Sequence, residues 1–353
     1  MTVTEATRNY ERWLGRQLPL VRADLQRKHR QMRKDPFAFF RGTYYRWVQR
    51  SDALLGHLSS APAVLAVGDL HVENFGTWRD AEGRLVWGIN DFDEAARLPY
   101  AHDLVRLATS GALAWAAGRM RIRVVDICEA VLLGYRDGLK AGGRPFVLAD
   151  ENRWLRDTAT NDLRDPVHFW KRFVRMRESA RGVPREVRAR LHDVMPAPTT
   201  QYRIVRRVAG LGSLGRPRFL ALGHWHGGWV AREARALASS AVQWARGERR
   251  QRPSYEMLLE SRFRTADPFV SVRAGWLLRR LAPDCSRIEL ESLPKRYDEY
   301  RLMHAMGWET ANIHLGTGHG TQIRAHLRSL ARDWLRRCVK TMAVAVREDW
   351  ESF

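Results

Sequence analysis

Cysteine is scarce in this chain. Its 353 residues hold three, Cys128, Cys285 and Cys338, isolated from one another and odd in number. That spacing excludes a disulfide scaffold and the common zinc-binding patterns, and it points to a reducing, cytoplasmic compartment. Long apolar runs are missing too: none approaches the roughly eighteen residues of a membrane span, and Met1 to Leu20 carries charge throughout, so neither a span nor a signal peptide is expected. Lysine is nearly as rare, six of sixty basic residues, so the net charge of +21 belongs to arginine spread along the whole chain. No compact basic run with interleaved aromatics stands out, and no repeat or low-complexity tract is present. The bland reading of this charge is a solvated or paired arginine surface. The alternative is attraction to nucleic acid, anionic lipid or a phosphorylated substrate.

Hydrophobic content of 45% and fourteen Trp describe a globular chain long enough for two lobes or domains. Residues 5–34 read as helical and charged, closed by Pro36, with a short helix near 43–57. Ala63 to Val67 and Leu85 to Ile89 read as strands, with a hairpin-like turn at 79–83 between them. Helices follow at 103–120 and 124–139, then a charged helical stretch over 150–200, where Pro184, Pro196 and Pro198 mark a linker. The pattern then changes: strands at 203–209, 218–222 and 229–232, a helix at 233–246, and strands at 269–272 and 276–281. The end is helical again over 295–313 and 321–349.

Two loops carry the chemistry. The first is Gly68-Asp69-Leu70-His71-Val72-Glu73-Asn74; the second is Asn90-Asp91-Phe92-Asp93-Glu94, with Asp91 seventeen positions after Asn74. An Asp with an Asn five positions on, then a second Asp closing an apolar run, is the spacing of a phosphoryl-transfer site. Asp69 would accept the proton of a substrate hydroxyl, while Asn74 and Asp91 would hold Mg²⁺ and Asp93 would add a metal contact or support the loop. The bland alternative is turn and cap chemistry. His71 either hydrogen-bonds a neighbouring carboxylate or orients the loop, and Asp103 is as well read as a helix cap as a functional group. His304, His314 and His319 match no metal-ligand spacing and read as structural.

Gly210, Gly212, Ser213 and Gly215 form a Gly-rich loop between two strands. A dinucleotide fold would need a helix after the loop; a strand there instead suits a loop that covers nucleotide phosphates. An ordinary hairpin turn is the alternative. The third strand offers Arg232 as the phosphate contact, with Glu256 or Glu260 as its partner.

Several segments resemble the bacterial domain-of-unknown-function family numbered 2252: Pro36 to Gly42, Gly68 to Gly76, Ile89 to Ala95, Asp103 to Ala108 and Ala209 to Gly215. The two central motifs are also similar to those of aminoglycoside phosphotransferases and choline kinases. By that resemblance Asp69 is the catalytic base, Asn74 and Asp91 are metal ligands and Asp103 is structural. The order differs, because in those kinases the Gly-rich lobe precedes the catalytic loop.

The resemblance therefore implies an α+β, protein kinase-like two-lobe fold in circularly permuted order, with a mainly helical large lobe and a small antiparallel-sheet lobe. Its parts would be an N-terminal helical segment (1–60), the catalytic-loop part of the helical lobe (61–200), the Gly-rich nucleotide lobe (201–288, with a hinge at 282–288) and closing helices (289–353). The expected activity is ATP- and Mg²⁺-dependent phosphotransfer to a hydroxyl on an unidentified, anionic acceptor. The rival readings are a silent nucleotide-binding protein, which arginine in place of lysine favours, and a nucleic-acid-associated protein.

Overall fold

In the computed structural model the chain is a mixed α/β protein, described over residues 1–148, 151–159, 165–178, 182–196, 201–249, 253–285 and 296–353. Among these residues the helices are α1 Val3–Gly15, α2 Arg22–Met32, α3 Pro36–Gly42, α4 Tyr44–Leu54, α5 Ala101–Ala116, α6 Val124–Ala141, α7 Arg153–Ala159, α8 Pro166–Val174, α9 Arg185–Val194, α10 Ala241–Arg246, α11 Tyr255–Leu259, α12 Arg296–Leu315, α13 Gly320–Ser329 and α14 Trp334–Glu351. The strands are β1 Ala63–Ala66, β2 Phe75–Arg79, β3 Leu85–Ile89, β4 Ala96–Pro99, β5 Phe146–Val147, β6 Tyr202–Arg206, β7 Arg218–Trp225, β8 Gly228–Ala236, β9 Ser271–Arg273 and β10 Trp276–Leu281.

Every strand pair is antiparallel. β1 pairs with β4, β3 lies between β2 and β5, and the remaining five strands form one sheet in the order β6-β7-β8-β10-β9. The five-stranded sheet was legible in the alternation of its strands. The pairing near the acidic loops was not: the two anticipated strands, β1 and β3, belong to different sheets. The turn at 79–83 joins β3 to β2, a strand the pattern concealed.

Several boundaries differ from expectation. The charged N-terminus is two helices, because Pro19 lies between them and cannot continue a helix. Pro36 opens α3 behind the capping carboxylate of Asp35, which accepts a hydrogen bond from the Ala38 amide at 2.7 Å. The helix expected over 233–246 begins only at Ala241, since β8 runs on to Ala236. Its Ala-Arg-Glu-Ala-Arg-Ala stretch favours helix locally, yet it pairs through Ala231–Ala236 with β10, and that tertiary pairing prevails. The closing helix expected over 321–349 is also divided, into α13 and α14. Pro198 and part of the anticipated hinge lie outside the described residues.

The core is centred on α5, α6 and α12. Their approach is close: a Cβ on Gly134 or Gly307 would strike the facing backbone of α12 or α6. On α5, every residue from Ala101 to Ala114 is buried. α14 packs on α5, α3 and α4, and the two chain ends meet there, since Arg46 contacts both the Met1 carbonyl and Asp349.

Candidate functional site

A cleft of about 770 Å³ opens between α2 and α3, the two acidic loops, the Gly-rich loop, α8 and one face of the five-stranded sheet. β1 delivers the first loop. Gly68, at φ +79°, turns the chain there, and a Cβ would collide with the Glu94 carbonyl. Asp103 secures the turn, its carboxylate accepting the Val67 and Gly68 amides at 2.7 and 3.0 Å and facing His314 Nε2 at 3.0 Å. Asp103 is therefore no cap of its own helix. His314 is structural as well, held between Asp103 and the Tyr135 hydroxyl.

The β2–β3 pairing brings the two loops side by side. The Asn90 amide donates to the Asn74 carbonyl, and the Asn74 side-chain amide donates to the carbonyls of Asp69 and Asp91 at 3.3 and 3.0 Å. The Asn74 side chain lines the cleft. His71 Nδ1 accepts the Glu73 amide and so shapes the first loop, and Glu73 pairs with Arg41 at 2.6 Å.

Arginine compensates each acidic group. Arg106, fully buried on α5 and stacked over Phe40 at 3.9 Å, forms an ion pair with Asp69. Arg235 is bidentate to Asp91, 2.9 Å to each oxygen, and reaches Asp93 at 2.6 Å. Arg216 bridges Asp93 at 3.2 Å and Glu94 at 3.0 Å. Beyond them on the same sheet face, Glu233 gathers Arg207, Arg218 and Arg279.

These surroundings set the protonation states. For Asp91, burial opposes charge, but Arg235 outweighs it and holds the carboxyl below the usual range. Burial pushes Asp93 up to about 6 against the pull of Arg235, with the Asp91 charge adding to the rise, and pushes Glu94 up to about 7 against the pull of Arg216. Asp91 and Asp93 share one guanidinium and titrate as a pair.

The Gly-rich loop lies directly on the first acidic loop. A Cβ on Gly212 would sit 3.4 Å from Asp69 Oδ2 and 3.3 Å from the Arg41 carbonyl. Gly210 and Gly215 both take positive φ, and the Ser213 hydroxyl is held by Arg218 at 2.7 Å. α2 holds the loop from the other side: the Val21 amide donates to the Gly215 carbonyl, Asp24 pairs with Arg206, and Lys28 Nζ donates to the Gly212 carbonyl at 3.0 Å. Burial lowers the Lys28 ammonium to about 8.

Of the residues singled out in the sequence, the fold thus brings together Asp69, Asn74, Asp91, Asp93, Gly210, Gly212 and Ser213 at the cleft, while Gly215 packs against Leu25 of α2. Arg232 is not among them. It lies on the opposite face of β8 from Glu233 and Arg235, donates to the Val194 and Ala231 carbonyls and stacks on Phe269. Glu256 and Glu260 are exposed, and neither pairs with it among the described residues. Ending the strand at Arg232 had hidden Arg235; carrying the alternation through Glu233 to Arg235 would have found it. Lys28 and Arg106 left no local signal, because only packing of α2 and α5 brings them here.

The side chains fit a cation in charge and in donor type. Asp91, Asp93 and the Asn74 oxygen are hard donors suited to Mg²⁺, and the Arg235 guanidinium is itself a cation seated between the two carboxylates. Among the described residues no three His, Cys, Asp or Glu side chains converge as a ready metal cluster, since arginines separate them.

No curated protein and no solved structure matches the chain. A family model described as "Uncharacterized protein conserved in bacteria (DUF2252)" matches residues 20–154, the stretch from α2 through both acidic loops to α7. Over that stretch the chain is similar to this bacterial family.

Proposed function

We propose that the cleft is the active site of an ATP- and Mg²⁺-dependent phosphotransferase acting on a hydroxyl group. The observation that carries this reading is the closeness of Gly212 to Asp69, whose Oδ2 stands 3.4 Å from where a Cβ on Gly212 would sit. Phosphates covered by the Gly-rich loop would lie beside Asp69, a carboxylate suited to receive a hydroxyl proton. In the transfer, the bond from the terminal phosphorus to its bridging oxygen breaks. The acceptor oxygen forms the new bond, and its proton passes to Asp69.

Arg106 orients Asp69 through its buried ion pair, so it is a positioning residue. Asn74, Asp91 and Asp93 would hold Mg²⁺, which when bound neutralises phosphate oxygens. Arg235 takes the role first read into Arg232, because its guanidinium stands at the cleft and suits bidentate contact with phosphate. Lys28 adds a second cation from α2. The lining holds twelve Lys and Arg against seven Asp and Glu, an excess that suits polyphosphate and an anionic acceptor.

A thermal-shift titration with ATP, with and without Mg²⁺, tests this on the wild type and on Asp91→Ala. A Mg²⁺-dependent rise in melting temperature that the variant loses is expected. The absence of any shift at millimolar ATP overturns the reading. A second reading, nucleotide binding without transfer, is favoured by the grip of Arg235 on both Asp91 and Asp93. Phosphorus NMR separates the two: ATP that binds and is never converted to ADP points to the second.

A further inference from the structure

Beyond Lys28, the stretch of the cleft along α2 has no role in the transfer chemistry. α2 packs on α3 there, and a Cβ on Gly42 would strike Met32. Asp24, Arg27, Lys28, Gln31 and Lys34 follow one another at helical spacing and share a face of α2 and the turn after it. Two of them fix where that face points: Asp24 pairs with Arg206, and Lys28 Nζ donates to the Gly212 carbonyl. Arg27, Gln31 and Lys34 line the cleft beside them, together with Asp35 and Arg41 from α3 and its cap and Arg119 past the end of α5.

Charge along this stretch matches pair by pair. Arg41 holds Glu73 at 2.6 Å, Arg119 holds Asp35 at 3.0 Å and Arg106 holds Asp69. On the sheet side Arg216, Arg218, Arg235 and Arg279 are all engaged with carboxylates. Arg27 and Lys34 are the exception. Both are exposed, and among the described residues neither side chain, nor the Gln31 side-chain amide between them, takes part in an ion pair or a hydrogen bond. Two positive charges are therefore left over on one helix face. Lys28, on that same face, marks the Gly-rich loop and Asp69 beside it. Gln31 and Lys34 stand one to two helical turns further on, about 5–9 Å along the axis.

We propose that this stretch seats the acceptor, and that the acceptor is a small phosphate monoester carrying a free hydroxyl; the assignment rests on the phosphotransferase reading of the cleft. A phosphate monoester bears close to two negative charges at pH 7 and offers three acceptor oxygens. Those charges match Arg27 and Lys34, and the Gln31 amide adds a neutral donor. A carboxylate or a phosphodiester brings one charge and leaves a cation unmatched. A sugar or polyol phosphate held there spans the short distance to Asp69 with its hydroxyl. In the transfer that hydroxyl oxygen bonds the terminal phosphorus of ATP, ADP leaves with the bridging oxygen, the proton passes to Asp69, and the product is a bisphosphate.

The test is a phosphorus NMR titration of the full chain with glycerol phosphate at neutral pH and fixed ionic strength. It is run with and without saturating Mg²⁺ and AMPPNP, an ATP analogue that cannot transfer its phosphate. Three proteins are compared: wild type, Arg27→Gln/Lys34→Gln, and Arg22→Gln/Arg33→Gln, which removes equal charge from exposed positions of α2 and its end that do not line the cleft. Matching melting temperatures verify that the exposed substitutions leave the fold intact. The wild type is expected to bind glycerol phosphate whether or not AMPPNP is present. The Arg27/Lys34 variant should lose about tenfold or more in that affinity, and the control variant should stay near wild type. Absence of binding in the wild type, or equal loss in both variants, overturns the proposal. So does displacement of glycerol phosphate by AMPPNP, which would put the monoester where the nucleotide phosphates belong. If AMPPNP itself fails to bind while glycerol phosphate still needs Arg27 and Lys34, the phosphotransferase reading falls and the monoester site stands.

Discussion

Asp103 and Asp91 stand twelve positions apart, at opposite ends of one short segment; Asp103 is fully buried, whereas the Asp91 side chain opens on the cleft. The means of compensation differ. Asp103 receives two backbone amides and faces a histidine, all from the body that surrounds it. Asp91 accepts one backbone amide, that of Asp93 at 3.2 Å, and is held chiefly by a guanidinium that reaches across the cleft from the five-stranded sheet. The first arrangement has no freedom to change, because amides of the chain cannot leave. The second joins two parts of the molecule through a contact that the proposed Mg²⁺ would have to displace. Glu309 is a third solution: it is buried in α12 against Ile89 and Asn312, and burial pushes it up to about 7, so a proton compensates it. Amides, arginine and a proton thus mark, in turn, a structural carboxylate, an exchangeable one and a pH-sensitive one.

The sharpest way to break this comparison is at Asp103. Asp103→Ala orphans two buried amides and removes the partner of His314, at about 1–3 kcal/mol for each lost acceptor, so a loss on the order of 5 kcal/mol is expected in urea unfolding. A loss below about 1 kcal/mol would remove the distinction drawn here.

Arg235→Ala comes next. It leaves Asp91 and Asp93 facing one another beneath the cleft, and about 3 kcal/mol is expected, the lower end for a broken buried pair because the Asp91 side chain is 39% exposed. If the contact is exchangeable, millimolar Mg²⁺ should recover part of that loss in the variant's melting temperature. It should do nothing for Asp103→Ala.

The smallest effect concerns Glu309. Its folded pKa lies above the ordinary 4.5, at about 7, so between those values the folded chain holds a proton that the unfolded chain has released. Stability should therefore fall as pH rises through that window, by about 2 kcal/mol from this group between pH 5 and 7. In Glu309→Gln the fall should shrink by that amount, measured as urea midpoints across the range. An unchanged slope would mean that Glu309 is charged in the folded protein.

Parts of this arrangement were legible in the chain beforehand. Asp69, Asn74 and Asp91 stood out because loop residues at fixed spacing are held by the short strands on either side. The Gly-rich loop stood out because glycine marks backbone that must turn. Arg235 escaped notice because β8 competes with a helical reading of residues 233–246, and only pairing with β10 decides between them. Lys28 and Arg106 escaped because each comes from a helix with no sequence link to the loop it serves.

By itself, then, the sequence determined the two acidic loops, the alternation behind most of the five-stranded sheet, the helical character at both ends and the arginine excess. Each of these follows from local spacing, backbone preference or composition. The tertiary structure alone decided that Gly212 lies on Asp69, that Arg235 and not Arg232 faces the cleft, and that β1 and β3 enter different sheets. Those outcomes rest on which face a strand buries and which distant backbone supplies its hydrogen bonds, and the free energy of both comes from residues far away in the chain.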